Sequence, residues 1–165
     1  MRRKDREISC INDKLAIIEK CKVCRIGLSL NDYPYVVPLN YGYTCENQIL
    51  TLYFHGANTG KKIDIIKQNN NACFEIDCDT GLVAGEKPCD YSFEFKSIIG
   101  FGKIFLLETN DEKTKGLSCL MKHQTGREIE CHFTEEELKN LCVFKIAVKE
   151  FTGKQKTFGK TGNTN

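Results

Sequence analysis

Charge of one sign is what this sequence has least of. Lys and Arg number 24 against 22 Asp and Glu, a formal net charge of +2. Such balance gives no footing for nucleic acid or an anionic membrane as a partner. No apolar run approaches the ~20 residues that a membrane-spanning helix needs. The opening Met1-Arg2-Arg3-Lys4-Asp5-Arg6-Glu7 is basic, but no apolar stretch follows it to make a secretory signal. The expectation is a cytoplasmic protein. Internal repeats and a dividing linker are also absent, so the 165 residues read as one domain, long enough to bury a real core. Residues 1–152 are expected to form that domain. The stretch 153–165, rich in Gly, Lys, Thr and Asn, is expected to be a flexible tail.

Cysteine, by contrast, is plentiful, with ten residues. Without an export signal a disulfide scaffold is disfavoured. Most of the cysteines sit among apolar neighbours, as in Asn71-Ala72-Cys73-Phe74 and Leu141-Cys142-Val143. Reduced cysteine behaves as a small buried hydrophobe, so most are read as reduced core residues. Cys21-Lys22-Val23-Cys24 is a lone C-x-x-C. A structural zinc site needs a second pair, and Cys131-His132 is a weak partner. A dithiol redox motif belongs at a helix start after a strand, whereas this one falls at a helix end before a strand. Cys73 and Cys78 fall on opposite faces of one strand and make a poor pair.

The periodicity alternates between helix and strand. A helix is expected over about 3–21, with Ile11, Leu15 and Ile18 at helical spacing. Strand patterns follow at Val23–Leu28, Tyr35–Tyr43, Gln48–His55, Ala72–Cys78, Tyr91–Leu107 and Val143–Phe151. Leu50, Leu52 and Phe54 share one face, as do Ala72, Phe74 and Ile76. Pro38 cannot donate to a ladder and marks an edge or a bulge. Gly100 and Gly102 mark a bend in the long strand. Thr109 with Glu112, and Thr134 with Glu137, are capping-box signatures for two helices, near 111–123 and 135–140. The stretch 79–90 reads as a loop. About six strands close together in sequence favour antiparallel pairing. The fold class is mainly β, of the α+β kind, a barrel or sandwich with peripheral short helices.

The segment richest in chemistry is His55-Gly56-Ala57-Asn58-Thr59-Gly60-Lys61-Lys62. It leaves a strand, passes through small residues and enters a helix beside two lysines. Helix-start N–H groups are unpaired and partly positive, and glycine lets a bound group come close. Two ammonium groups complete an anion site suited to a phosphorylated ligand. A Walker loop is excluded, because only three residues separate Gly56 from Gly60 and Lys62 follows Lys61. The other reading is a plain turn before a solvated basic helix.

Several blocks carry a resemblance. Tyr35-Val36-Val37-Pro38-Leu39-Asn40-Tyr41-Gly42-Tyr43, Leu52-Tyr53-Phe54-His55-Gly56-Ala57, Gly60-Lys61-Lys62, Lys96-Ser97-Ile98-Ile99-Gly100-Phe101-Gly102 and Lys145-Ile146-Ala147-Val148-Lys149-Glu150-Phe151 follow in order over about 20–154. Together they resemble the 5-nitroimidazole resistance (Nim-type) proteins, within the flavin-binding split barrels of the pyridoxamine 5'-phosphate oxidase type. The resemblance implies a six-stranded antiparallel split β-barrel, a homodimer, and FMN between the subunits, with FAD as the alternative. It implies that Pro38, Leu39, Asn40 and Tyr41 run along the flavin ring. Gly56 and Ala57 would border the cofactor and Gly60, Lys61 and Lys62 would hold its phosphate. Ser97 and Ile98 would lie near the ribityl chain or ring.

His55 matches the family histidine near the flavin and the small-molecule pocket. By resemblance it is the catalytic candidate, a proton donor to a reduced nitro group or a binder of an anionic substrate. From the residues alone it could equally bond a backbone carbonyl at the strand end. His123, at a helix end, and His132, in a polar loop, carry less. The implied activity is flavin-dependent reduction of small electrophiles. A non-catalytic flavin carrier or sensor and a haem-binding barrel stand as alternatives. The arginine-rich C-terminal substrate motif of true pyridoxamine-phosphate oxidases is not found.

Overall fold

The computed structural model describes residues 2–157. The elements are β1 (Glu7–Ile8), α1 (Ile11–Lys20), β2 (Val23–Leu30), β3 (Tyr33–Asn40), β4 (Gly42–Glu46), β5 (Ile49–Ala57), α2 (Lys61–Gln68), β6 (Asn71–Val83), β7 (Ser92–Leu106), α3 (Asn110–Thr125), α4 (Glu135–Asn140) and β8 (Leu141–Lys156). All strands pair antiparallel in one eight-stranded sheet of order β3-β2-β6-β7-β8-β5-β4, with β1 added beside β8. The two ends curl together until β3 packs against β5 without a ladder between them. The sheet is thus a barrel with one open seam. No helix among the described residues is long and apolar enough to cross a membrane.

Eight strands stand where about six were expected, for two reasons. The run 35–43 is broken at Tyr41, whose side chain is fully buried and whose carbonyl is held by His123 and Gln124. Gly42 then restarts the chain as β4. Its missing side chain matters, because a Cβ there would sit 2.3 Å from the Cys119 backbone of α3. The second reason is that Glu7 and Ile8 pair with Lys154 and Gly153 of β8, burying Ile8. The first helix is accordingly only α1, not the whole of 3–21.

The alternation places the core as expected. Leu50, Leu52 and Phe54 of β5, and Ala72, Phe74 and Ile76 of β6, all point into the barrel and are buried. Phe54 and Phe144 stack with centroids 5.5 Å apart. Each such side chain contributes about 1.5–3 kcal/mol on burial. Two hairpins close on two-residue turns with left-handed backbone at both positions, Asn31 (φ 51) with Asp32 (φ 62) and Asn47 (φ 50) with Gln48 (φ 66). That geometry matches the twist of the flanking strands. Pro38 lies on β3, an edge of the sheet path, where the missing N–H costs little. β7 shifts register between Phe101 and Gly102, the bend its glycines announced.

Three boundaries differ from expectation. β6 continues past Cys78 to Val83 across a register shift, where a loop was read. β8 runs to Lys156, because Gly153, Lys154, Gln155 and Lys156 pair with Ile98, Ser97, Lys96 and Phe95 of β7. The domain therefore extends beyond residue 152, and the rest of the expected tail, from 158, lies outside the described residues. The cysteines are all free thiols, but only Cys21, Cys24 and Cys142 are buried, and Cys10 and Cys89 are exposed.

The outer face of the sheet is covered unevenly. Over β5 and β8, helices α3 and α4 bury Tyr53, Leu117, Leu138 and Val143 in a second small core. Both helices begin with complete capping boxes, at Thr109/Glu112 and Thr134/Glu137. On the outer face of β7, Phe93 (57% exposed), Ile99, Phe101 (52%) and Phe105 stand bare among the described residues.

Candidate functional site

The turn between β5 and α2 joins a buried strand to a helix whose start is open. Ile63, Ile65 and Ile66 are buried, so α2 is pinned by its apolar side and its start is fixed at the seam end of β5. Gly60 precedes the helix at φ +114, a backbone region that other residues rarely adopt. Its carbonyl accepts the N–H groups of Ile63 (2.8 Å) and Asp64 (3.2 Å), and no side chain caps the helix. A Cβ on Gly60 would meet nothing within 4 Å, so the space in front is open.

Lys61 extends over the Tyr35 ring of β3, 5.2 Å from its centroid, bringing the turn and β3 together across the seam. Lys62 is half-buried and folds back over Gly56, where a Cβ would stand 2.9 Å from its Cε. No hydrogen bond or ion pair with any described residue engages either ammonium group. Unpaired cations at a partly positive helix start favour a phosphate group. Asn58 donates to the Lys139 carbonyl at 2.9 Å and ties the turn to the end of α4. Ala57 is exposed at the end of β5. His55 is exposed beside Val143 of β8, and its ring makes no hydrogen bond with the described residues. The strand-end carbonyl bond considered for it is not formed.

The β3 block divides into two parts. Tyr35, Val37 and Leu39 point inward, half-buried near the seam, and Pro38 is exposed. Asn40 and Tyr41 have other work. Asn40 Nδ2 donates to the Lys22 carbonyl (3.0 Å) and the Gln124 Oε1 (3.2 Å), and the Tyr41 hydroxyl donates to the Ile18 carbonyl (2.6 Å). Burial pushes the Tyr41 phenol well above its ordinary pKa. The Tyr41 carbonyl is taken as well, by His123 and Gln124, and neither side chain is left for a ligand in the seam.

Ser97 and Ile98 are not brought to this turn within one chain. β2 and β6 separate β7 from β3 in the sheet. The Ile98 side chain is fully buried in the core, as strand alternation requires once Ser97 faces out. Ser97 lines a shallow cavity of about 300 Å³ with Ile99, Thr152 and Lys154 on the bare face.

His123 carries more of the architecture than its place at a helix end suggested. It is buried, with Nδ1 2.7 Å from the Tyr41 carbonyl and Nε2 3.0 and 3.1 Å from the Ile18 and Glu19 carbonyls. The rings of Tyr41 and Tyr43 flank it at 4.6 and 5.3 Å. It clamps the end of α1 to the β3–β4 corner. Its partners lie far away along the chain, so no local pattern announces them.

A one-seamed antiparallel barrel defines a class of fold, and similarity narrows it. A family model described as pyridoxamine 5'-phosphate oxidase matches residues 12–155. The chain belongs to that family of split barrels. A candidate 5-nitroimidazole antibiotic resistance protein from Bacteroides thetaiotaomicron is 32% identical, with a TM-score of 0.77, covering 90% of this chain and 86% of that one. The FAD and heme binding protein from Mycobacterium smegmatis shares the fold at 16% identity and a TM-score of 0.79, over 93% of this chain and 74% of that one. The flavocytochrome Anf3 from Azotobacter vinelandii does so at 18% identity and a TM-score of 0.80, over 96% and 72%. No curated protein matches the sequence.

Proposed function

We propose that the chain is a flavin-binding protein, taking FMN with FAD as the alternative, that reduces small electrophiles such as 5-nitroimidazoles. The observation that carries this reading is the pair Lys61 and Lys62, unpaired at the open, positive-φ start of α2. That cradle fits a terminal phosphate, because it offers two ammonium groups and an uncapped helix start to one anion. The half-buried Val37 and Leu39, beside Pro38, offer an apolar wall for a flat ring, and the backbone of the exposed Asn40 offers polar atoms at its rim. When bound, the flavin supplies the electron-transfer chemistry. His55, exposed and without an internal partner, is free to hold a proton for the substrate or to bind an anionic one. The 32% identical relative supports nitroimidazoles as the substrate class.

The bare aromatic row on β7 supports a homodimer. Ser97 reaches a flavin in this arrangement only if a second copy packs on that face and brings its own cradle alongside.

The absorption spectrum of the purified protein with added FMN or FAD, followed by anaerobic assay with a reductant and a 5-nitroimidazole, tests the reading. Replacing Lys61 and Lys62 with Ala should weaken flavin binding on the order of 10–100-fold while leaving the fold intact. Flavin affinity unchanged in that variant overturns the cradle. Bound flavin without loss of the nitro group at any loading leaves a carrier or sensor. A Soret band on haem addition that vanishes in His55→Ala turns the assignment to haem.

A further inference from the structure

The sequence places Cys21 beside Cys24, but the fold places it beside Cys78. Cys21 opens the connection from α1 to β2, and Cys78 is the last regular position of β6 before its register shift. The Cys21 Sγ stands 3.4 Å from the carbonyl oxygen of Asp77, the residue next to Cys78, and Cys78 is among the neighbours that raise the Cys21 thiol pKa. Both side chains pack against the main core. Cys78 also lines a cavity of about 220 Å³ whose other walls include Lys20, Asp79, Lys96 and Gln155. Lys20 and Lys96 both pair with Asp79 there, the latter at 3.3 Å. The cavity thus gives a small polar molecule a path to Cys78, while Cys21 is buried out of the cavity's lining, against the neighbouring Asp77 carbonyl.

We propose that Cys21 and Cys78 form a redox modification site, at which a small hydroperoxide entering this cavity turns the dithiol into a disulfide. The Cys78 sulfur attacks the peroxide, so an S–O bond forms and the O–O bond breaks. The thiol proton leaves with the departing oxygen as water or an alcohol. The Cys21 sulfur then attacks the sulfenic sulfur, an S–S bond forms, the S–O bond breaks, and water leaves with the Cys21 proton. Two thiols are oxidised and one peroxide is reduced, and a small thiol reductant reverses the change. The order follows from position. Cys78 meets the cavity, whereas burial, aided by the neighbouring Cys78, pushes the Cys21 thiol up to about 12 and leaves it the resolving partner. Cys24 is fully buried and lines none of this cavity. The bridge would bind the α1–β2 junction covalently to β6.

Peptide mapping of the intact protein decides the matter. The protein is treated with hydrogen peroxide, denatured with N-ethylmaleimide, and digested with trypsin and a glutamate-specific protease. Cleavage after Lys22, Arg25 and Glu75 puts Cys21, Cys24, Cys73 and Cys78 on four separate peptides. The expected product is a dithiothreitol-sensitive link between Cys21-Lys22 and the Ile76–Glu86 peptide, with two of the ten thiols lost first. In Cys21→Ser, dimedone should trap a sulfenic acid on Cys78. Cys78→Ser should abolish the link. A Cys21–Cys24 link, oxidation confined to the exposed Cys10 and Cys89, or full recovery of alkylated Cys21 and Cys78 overturns the proposal. The wild-type map stands by itself if either variant fails to fold.

Discussion

The outer faces of β5 and β7 obey the same alternation and end in opposite states. On β5, Tyr53 points outward and is buried, because α3 and α4 lie over it with Leu117 and Leu138. On β7, Phe93, Ile99, Phe101 and Phe105 point outward and stand bare among the described residues. Tyr53 and the β7 side chains are alike in having a large ring or branch to bury, and only Tyr53 has its cover. An exposed apolar row of this kind on a folded chain marks a docking face. The difference teaches that strand periodicity assigns residues to faces, while the partner of each face is a separate question.

The sharpest way to break the comparison is on the covered side. Leu117→Ala should cost about 2–5 kcal/mol in urea unfolding, the range for a buried leucine truncation. A much smaller loss would mean that α3 does not seal this face. Next comes the clamp that aligns α1 and α3 on the corner at Tyr41. His123→Ala removes the ring that bridges the Tyr41, Ile18 and Glu19 carbonyls, leaving them only Gln124, the Tyr41 hydroxyl and Lys22 as side-chain donors, and should cost about 1–3 kcal/mol. His123→Gln, whose amide restores one donor, should recover part of it in the same assay.

On the bare side Phe101→Ala should leave the stability of the isolated chain within about 0.5 kcal/mol, as for other surface sites. In sedimentation it should shift the protein toward monomer. A loss as large as that of Leu117→Ala would show that the face is internally packed. The smallest effect is that of acid. Hydrogen bonds from Thr109 hold the Glu112 carboxyl below its usual range, and those from Thr134 do the same for Glu137. Their contribution is complete above the ordinary glutamate pKa of ~4.3 and is lost as pH falls through the lowered folded values. On the other side, burial and the neighbouring Asp77 raise the Glu75 pKa, so its contribution has the opposite sign and grows with acid. Unfolding measured from pH 5 downward should therefore loosen the helical cover first, and Thr109→Ala should flatten that dependence.

Local patterns were legible wherever the physics is local. The inward runs of β5 and β6, the two capping boxes, the edge at Pro38 and the bend at Gly102 all follow from neighbouring residues. The turn at Gly60 and the helix start after it were legible for the same reason. What stayed hidden depends on distant partners. The break at Tyr41 needs His123 and Gln124, and the short strand at Ile8 needs Gly153. Likewise, nothing near Cys21 points to Cys78. Ile98 was placed near a ligand by block similarity, yet parity with the outward Ser97 already sends its side chain to the core. The resemblance named a strand and left open which of its residues face outward.

β8 also fixes the order in which this molecule can be assembled. It is the last strand of the described chain, and β1, β5 and β7 all wait for it. While residues 141–156 are still inside the ribosome, β5 and β7 each present an open edge to any passing strand. Such long-range closure is slow and exposed to mispairing. A nascent chain of this protein therefore passes through a sticky interval that ends only when its final strand slots between the two waiting edges.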